Sequence, residues 1–309
     1  MKVLIVGGTG MIGGHAALHL SSLGYDVTIL GRKRPSLPAL AKISFLQGDY
    51  TREEITKEEL AGYVTIIFAA GSDLRHVPEN TDQNQYFLES NGVALPRFAR
   101  LARDAGVKQF IHIGSFHIHT IPHVVENNEY LKSRKLASDG VVALATPEFS
   151  ACSLDAPVIV GTVSGMDVLF FSAMTKYAQG KLEIPRYAPL GGSNFMSTKS
   201  LSQAIVGAMQ HRSAISGKAL VFGDENLSYQ EYFSMYFRAL GDDRQVPALD
   251  KEHPLFPAAA RIAGDEMETI SYDAQTHELL GNYQQNDVYR AVQEVVSEFR
   301  WTRDMKSSS

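Results

Sequence analysis

Lys2-Val3-Leu4-Ile5-Val6-Gly7-Gly8-Thr9-Gly10-Met11-Ile12-Gly13 decides the fold of this 309-residue chain. A short apolar, β-branched run reads as a buried strand, and the helical pattern Met11 to Leu23 begins directly after the glycines. Between them Gly7, Gly10 and Gly13 are spaced three apart. Glycine lets the chain turn tightly and lets a ligand come against the backbone, while the first helical turn, at Met11 and Ile12, presents free N–H groups and the positive end of its dipole. A side chain at Gly10 would block that approach. An ordinary strand-to-helix turn has similar glycines, so the position of these after the first strand is what points to the pyrophosphate of a dinucleotide.

Outward from this turn the chain alternates short β-branched runs with helical patterns, the signature of βαβ units and a parallel sheet. Strands are expected at Lys2–Val6, Asp26–Leu30, Ile43–Gln47, Val64–Phe68, Gln109–Ile113 and Phe149–Leu154. Helices are expected at Met11–Leu23, Arg52–Leu60 and Gln83–Asp104, each ending near a glycine able to take a left-handed cap (Gly24, Gly62, Gly106). Pro96 predicts a kink in the third. Beyond Val160 the pattern loosens around Gly161, Gly165, Pro185, Pro189 and Gly191-Gly192. Helices are expected there at Ser202–Gln210, Tyr229–Leu240 and Gln285–Phe299, with a strand at Ala219–Phe222 and a frayed end over Met305–Ser309. The expected architecture is α/β: a Rossmann-type doubly wound parallel sheet with a smaller C-terminal α/β substrate domain. Residues 1–160 with a returning segment 193–222 form the dinucleotide domain, and 161–192 with 223–309 the other.

Composition sets the outer limits. Hydrophobic residues are 44% and charged residues 20%, the balance of a globular protein. A net charge of −5 argues against nucleic acid as a partner. Cys152 is the single cysteine, so no internal disulfide forms and a reducing, cytoplasmic setting is expected. The apolar stretch Ala156–Met174 is broken by Gly161, Gly165 and Asp167 and makes a poor membrane span.

The end of the second strand bears on the choice of cofactor. NAD binders place a carboxylate there for the ribose 2′-hydroxyl. Here the strand runs into Gly31-Arg32-Lys33-Arg34, with no carboxylate to repel a 2′-phosphate and with Arg32 able to make paired charge-assisted bonds to one. NADP (NADPH) is therefore preferred and NAD remains an option; a merely solvated basic loop would weaken that preference. Asp49 and Tyr50, after the third strand, are candidates to seat the adenine.

These residues resemble the extended short-chain dehydrogenase/reductase group, also called the NAD-dependent epimerase/dehydratase family, and the likeness runs over most of the chain. Its parts are the Gly7–Gly13 turn, Gly48-Asp49, Phe68-Ala69-Ala70-Gly71, Asn91 in a long helix, and Phe110-Ile111-His112-Ile113-Gly114-Ser115. Asn194-Phe195-Met196-Ser197 and Gly223 to Ser228 resemble later parts of the family. The resemblance implies cofactor contacts at Ala69, Ala70, Gly71, Asn91 and Pro157. It also implies a catalytic Ser115 and a Tyr-x-x-x-Lys pair, matched by Tyr130-Leu131-Lys132-Ser133-Arg134 except that arginine holds the lysine position. Residues four apart share a helical face, whereas Lys135 points about 100° further round. Arg134 thus replaces the lysine. A guanidinium can hold ribose hydroxyls and favour an ionised tyrosine, but it cannot pass on its own proton. The implied chemistry is hydride transfer at a carbonyl or secondary alcohol, with Ser115 donating to the oxygen and Tyr130 exchanging the proton.

The substrate side is read from fewer residues. His117 and His119 could share a strand face, but no carboxylate or thiolate is fixed beside them in sequence, so no metal is expected. His117, Asp155 and Arg186 are the candidate substrate contacts. The resemblance implies an arginine or asparagine in nucleotide-sugar members near the stretch here occupied by Leu154 to Gly161, where this chain has Asp155 and otherwise apolar residues. The departure counts against a diphosphate sugar and favours a small, apolar organic substrate, although Arg186 beside Tyr187 could supply the cation. Phe170, Phe171, Met174, Tyr177, Phe195 and Met196 leave room for an apolar pocket, or for plain core. The leading expectation is an NADP-dependent ketone reductase or alcohol dehydrogenase. The alternatives are a nucleotide-sugar epimerase or dehydratase using bound NAD and, from another class, a non-catalytic NADP-sensing regulator. A homodimer through helices flanking the sheet is a family expectation.

Overall fold

The computed structural model describes residues 1–73 and 76–307, with the backbone alone described for residues 259 and 300–307. Its strands are β1 (Lys2–Val6), β2 (Asp26–Gly31), β3 (Ser44–Gln47), β4 (Thr65–Phe68), β5 (Gln109–Ile113), β6 (Ser150–Asp155), β7 (Val158–Val160), β8 (Ala188–Pro189), β9 (Gly192–Ser197), β10 (Ala219–Val221), β11 (Glu225–Ser228) and β12 (Ala248–Leu249). The chain divides into two compact units. Met1–Ala156, Leu201–Phe222 and Asp273–Tyr283 make the first; Pro157–Ser200, Gly223–Tyr272 and Gln284–Ser309 make the second.

In the first unit seven strands form one sheet in the order β10-β6-β5-β4-β1-β2-β3, every pair parallel. This is the Rossmann order, extended by β10. From β1 the chain steps outward to β2 and β3, then crosses to the opposite side of β1 and adds β4, β5 and β6. The loops after β1 and β4 therefore part at the switch point, where doubly wound sheets bind ligands. The register pairs Val6 with Phe68, Phe68 with His112, and Ile113 with Leu154, so the strands end level along one edge.

Burial of both strand faces explains the near-continuous apolar runs. On one face Leu4, Val6, Ile66, Phe68, Phe110 and Ala151 pack with Leu95, Phe98, Ala99, Ala102, Ala137 and Val141 from helices. The alternating residues Ile5, Ile29, Ile67 and Ile111 are buried as well. Each such Leu, Ile or Phe side chain contributes roughly 1.5–3 kcal/mol. Gly24 and Gly106 adopt φ of +83° and +85°, the left-handed caps their spacing foretold, whereas Gly62, at φ +94°, follows an extended Ala61 and closes a turn between Leu60 and Tyr63.

Four expectations need correction. The Arg52–Leu60 helix is instead a 3-10 turn (Tyr50–Arg52), a left-handed Glu53 (φ 57°) and a short helix Lys57–Leu60. Thr56 and Glu59 form a reciprocal capping box, which starts a new helix rather than continuing an old one. The single Gln83–Asp104 helix is instead three pieces: Gln83–Phe87, a π-helical stretch Leu88–Ala94, and Leu95–Asp104 with Pro96 in its first turn, where the missing N–H has least effect. The strand Gly192–Ser197 joins the second unit, pairing β11 antiparallel and β7 parallel, while Asp273–Tyr283 belongs to the first. The late helix is Val288–Ser307, so its length exceeds the expected Gln285–Phe299, and residues 308 and 309 of the expected frayed end lie outside the described residues.

The second unit packs aromatic side chains around β9 and the Tyr229–Ala239 helix. Phe195 stacks on Tyr232 at 4.3 Å, and Tyr177 meets Phe233, Phe237 and His253 edge-on. Phe171, Met174, Tyr177, Phe195 and Met196 are buried there, so five of the six side chains offered as an apolar pocket are core. Among the described residues no helix is long and apolar enough to cross a membrane.

Candidate active site

The turn after β1 is shaped by contacts that leave no room for side chains. Gly7 has φ +80°, and a Cβ on it would lie 2.8 Å from the backbone N of Ala70. A Cβ on Gly13 would lie 2.5 Å from the Gly7 carbonyl oxygen. One glycine thus lets the loops after β1 and β4 touch, and another lets the helix Met11–Ser22 close on the turn. Gly10 differs: a Cβ there would meet only the Gly7 oxygen, at 3.4 Å, so its outer side is open. Gly10 N–H donates to Gly7 O and Gly14 N–H to Gly10 O, leaving the first N–H groups of the helix, at Met11, Ile12 and Gly13, outside the intrahelical ladder. A bare backbone cradle with unspent N–H groups fits the diphosphate of a dinucleotide.

Arg32, Lys33 and Arg34 are exposed past β2, with the Arg34 guanidinium over the Phe45 ring at 5.1 Å. Asp49 caps its own 3-10 turn, accepting from Thr51 N–H and Oγ1. Tyr50, half-buried, packs edge-on against Phe68 at 4.9 Å at the edge of the core, and burial pushes its phenol up to about 12. Asn91 is fully buried and staples the loop after β4: it accepts from Ser72 N–H at 3.0 Å and donates to Ser72 O at 2.9 Å and to Ser133 Oγ at 3.2 Å. It positions Ala69-Ala70-Gly71 rather than reaching outward itself.

At the ends of β5 and β6 polar side chains converge. Ser115 is 8% exposed, two residues beyond β5. Tyr130 stands in the first turn of the helix Glu129–Val142, capped by Asn128, and its ring meets Phe87 edge-on at 5.3 Å. Among the described residues neither hydroxyl has a hydrogen-bond partner, which leaves both available to a ligand. Arg134, one turn after Tyr130, is buried and donates from Nη2 to the Ile113 carbonyl at 2.9 Å, while its Nε has no partner. A Cβ on Gly71 would lie 2.7 Å from Arg134 Nη1, so this glycine makes way for the guanidinium. Lys135 pairs with Asp139 at 2.6 Å on the exposed side and does not substitute for it.

The substrate candidates separate. His117 and His119 lie in a helical turn, His117–Thr120, not on a strand. Among the described residues no group of three or more His, Cys, Asp or Glu is placed to hold a metal. Asp155 is fully buried and bonded to His119, Ser153 and Ser138, so it is not an outward substrate contact. Arg186, in the second unit, is spent internally on Asp242 and the Arg244 carbonyl, with its guanidinium over Phe237 at 4.2 Å. Pro157 is buried at the start of that unit. Sequence reasoning named His119 and Asp155 without joining them. Thirty-six positions apart, they carry no pairwise signal in the sequence, and it is the loop after β5, bonded to the end of β6 through Gly114 N–H to Leu154 O and Phe116 N–H to Ala156 O, that brings them together.

Comparison with known proteins agrees with this geometry. Residues 3–152 match the model of the NAD dependent epimerase/dehydratase family. A UDP-glucose 4-epimerase of Klebsiella pneumoniae is 32% identical over 126 residues, covering 37% of this chain and 89% of that protein. One of Erwinia amylovora is 24% identical over 312 residues, covering 86% of this chain and 92% of its own length. The crystal structure of a UDP-glucose-4-epimerase from Stenotrophomonas maltophila, with bound NAD and formylated UDP-arabinopyranose, superimposes with a TM-score of 0.77 at 17% identity, covering 100% of both chains. The chain belongs to the NAD dependent epimerase/dehydratase family.

Proposed function

We propose that the chain is a nicotinamide-dependent epimerase or dehydratase that oxidises and reduces a secondary alcohol of a nucleotide sugar. The observation that carries this reading is the sharing of one sheet edge by the side-chain-free Gly7–Gly13 cradle and by Ser115, Tyr130 and Arg134. The sugar-nucleotide class is supported by the UDP-glucose 4-epimerases, two of which the chain matches over 89% and 92% of their length. The small apolar ketone expected from Leu154-Asp155-Ala156-Pro157 has lost its basis, because Asp155 is tied inward and most of the supposed pocket side chains are core.

The bound dinucleotide supplies a ring that accepts and returns hydride. The chain's own groups do the rest. Met11, Ile12 and Gly13 N–H groups would hold the diphosphate, and the Ser115 hydroxyl would donate to the substrate oxygen as charge develops there. Tyr130 would take and return the hydroxyl proton at its phenol oxygen. Arg134 fixes the end of β5 through Ile113 O and brings a positive charge to this corner. At the far ribose, Arg32 and the lack of a carboxylate after β2 support NADP over NAD.

The test is incubation of purified protein with NAD or NADP and either UDP-glucose or UDP-galactose, followed by separation of the sugar nucleotides and fluorescence of the reduced ring. Interconversion or an eliminated sugar is the expected result. Cofactor binding with neither product, together with NADPH-driven reduction of simple ketones, would overturn the sugar assignment. A Kd for NADPH no tighter than for NADH, or equal losses in Arg32→Ala, would remove the phosphate contact. A second reading, a non-catalytic NADP sensor, is favoured by one observation only, the engagement of Arg134 with Ile113 O; turnover in the same assay excludes it.

A further inference from the structure

Against Gly114, the residue before Ser115, lies a buried carboxylate that alcohol oxidation alone does not use: a Cβ on that glycine would run into Asp155 Oδ1. Asp155 is fully buried, a position an ion tolerates only when donors satisfy its oxygens. Its Oδ1 accepts from Ser153 Oγ at 2.5 Å, and its Oδ2 from Ser138 Oγ at 3.4 Å and from His119 Nε2 at 2.6 Å. With its own hydrogen donated to Asp155 in that bond, the Ser153 oxygen accepts from His112 Nδ1 at 3.0 Å. Burial, and after it the Arg134 charge, holds the His112 imidazole well below its usual pKa, so it remains a neutral donor. The carboxylate is thereby fixed in orientation. Of its partners only His119 reaches outward, with its side chain 35% exposed.

A carboxylate accepting from Nε2–H selects one tautomer and leaves Nδ1 with its lone pair, the arrangement in which an acid orients a base. Among the described residues that Nδ1 has no partner. His119 follows Ser115 by four residues in a segment stitched to β6, Gly114 N–H donating to Leu154 O at 2.8 Å and Phe116 N–H to Ala156 O at 3.2 Å. Base and serine are thus carried by one anchored loop. The other titratable groups nearby are His117 in the same turn, His123 on the adjoining helix Pro122–Val125, and Tyr130 and Arg134 on the helix Glu129–Val142. That helix turns its remaining charges outward in pairs, Lys132 with Glu129 and Lys135 with Asp139.

Moving a hydride from and to a secondary alcohol needs one proton-transfer group, the role given above to Tyr130. We propose that His119, oriented by Asp155, is a second acid–base group of this site and serves a C–H bond beside the carbonyl that alcohol oxidation creates. The inference rests on the function proposed above and narrows it to reactions that break such a bond, as elimination does and simple inversion of the alcohol does not. In the step, Nδ1 takes the proton, the C–H bond breaks, and its electron pair becomes the enolate, with charge on the oxygen to which Ser115 donates. Return of a proton to the carbon restores the ketone, so no external oxidant or reductant enters. Because His119 is open to water, the returned proton comes from solvent.

Two measurements test this. Protein loaded with NADP, and in parallel with NAD, and given UDP-glucose in D2O should place deuterium on carbon in the recovered sugar nucleotide, and His119→Gln should slow that wash-in by about a hundredfold while the reduced cofactor still forms. Interconversion without wash-in, or wash-in that survives His119→Gln, overturns the proposal. If UDP-glucose never reduces the cofactor, the sugar reading above fails instead, and nitrogen NMR of the histidines judges the pair alone. There His119, assigned by its loss in His119→Gln, should carry its proton on Nε2, and Asp155→Asn should turn it into a mixture of tautomers. A proton found on Nδ1 overturns the proposal, and that wild-type signal is readable even if Asp155→Asn does not fold.

Discussion

At the ends of β1 and β4 the sheet edge is made of backbone, with glycines admitting close approach and N–H groups left unspent, whereas at the ends of β5 and β6 it is crowded with buried side chains. The first half discriminates by what is missing: a single Cβ on Gly7 or Gly13 meets main-chain atoms at 2.5–3.0 Å. The second half depends on each member keeping its partner, Arg134 on Ile113 O and Asp155 on three hydroxyl or imidazole donors. Substitutions in the two halves should therefore fail in different ways, one by intrusion and the other by loss.

The largest separation is expected from Tyr130→Phe. Turnover should fall on the order of 10²–10⁴-fold, the usual worth of a positioned acid or base, while cofactor affinity measured by fluorescence titration stays within about twofold. Comparable losses in both would merge the two halves into one. Next comes Asn91→Leu, which leaves the Ser72 N–H and C=O without their partner; denaturant unfolding should register a loss of about 3 kcal/mol. Gly13→Ala should lose about 1–3 kcal/mol and weaken the cofactor at least about tenfold. The sign is the informative part, since glycine to alanine inside a helix ordinarily gains up to about 1 kcal/mol; a stabilised variant would mean the turn relaxes freely.

The smallest effect concerns pH. His253 in the second unit is held down to about 4 by burial, and His112 lies well below 6.5 for the same cause. Unfolded histidines take up protons near pH 6.5 while the folded ones do not, so stability is full above that value and declines as pH falls toward 4. Asp224 acts oppositely: burial raises it from 3.8 to about 6, so its contribution is present at low pH and lost as pH rises through 6. Urea midpoints measured across this window should fall on acidification, and more steeply in Asp224→Asn; an unchanged slope would assign the acid sensitivity elsewhere.

Much of the first unit was legible because its signals are local. Apolar runs bounded by glycine located β1, β2, β4, β5 and β6 to within a residue or so at either end, and left-handed caps followed from Gly24 and Gly106. Arg52–Leu60 misled because a helical pattern does not disclose a left-handed residue in its midst, here Glu53. Among the candidate site residues the glycine turn could be named from spacing and position, and Ser115, Tyr130 and Arg134 from the resemblance to the family. The roles of Asn91, Tyr50 and Asp155 could not, since burial and hydrogen-bond partners decide whether a polar side chain faces a ligand or holds a loop.

The order of residues alone determined that a strand, a glycine turn and a helix would meet near the start, because φ freedom and helix N–H groups are properties of a dozen consecutive residues. Tertiary structure decided what sits beside that turn. The loop after β5, bonded to the end of β6, set His119 against Asp155, and a gap at Gly71 admitted the Arg134 guanidinium. Such pairings are fixed by packing between segments far apart in the chain, where no periodicity records them.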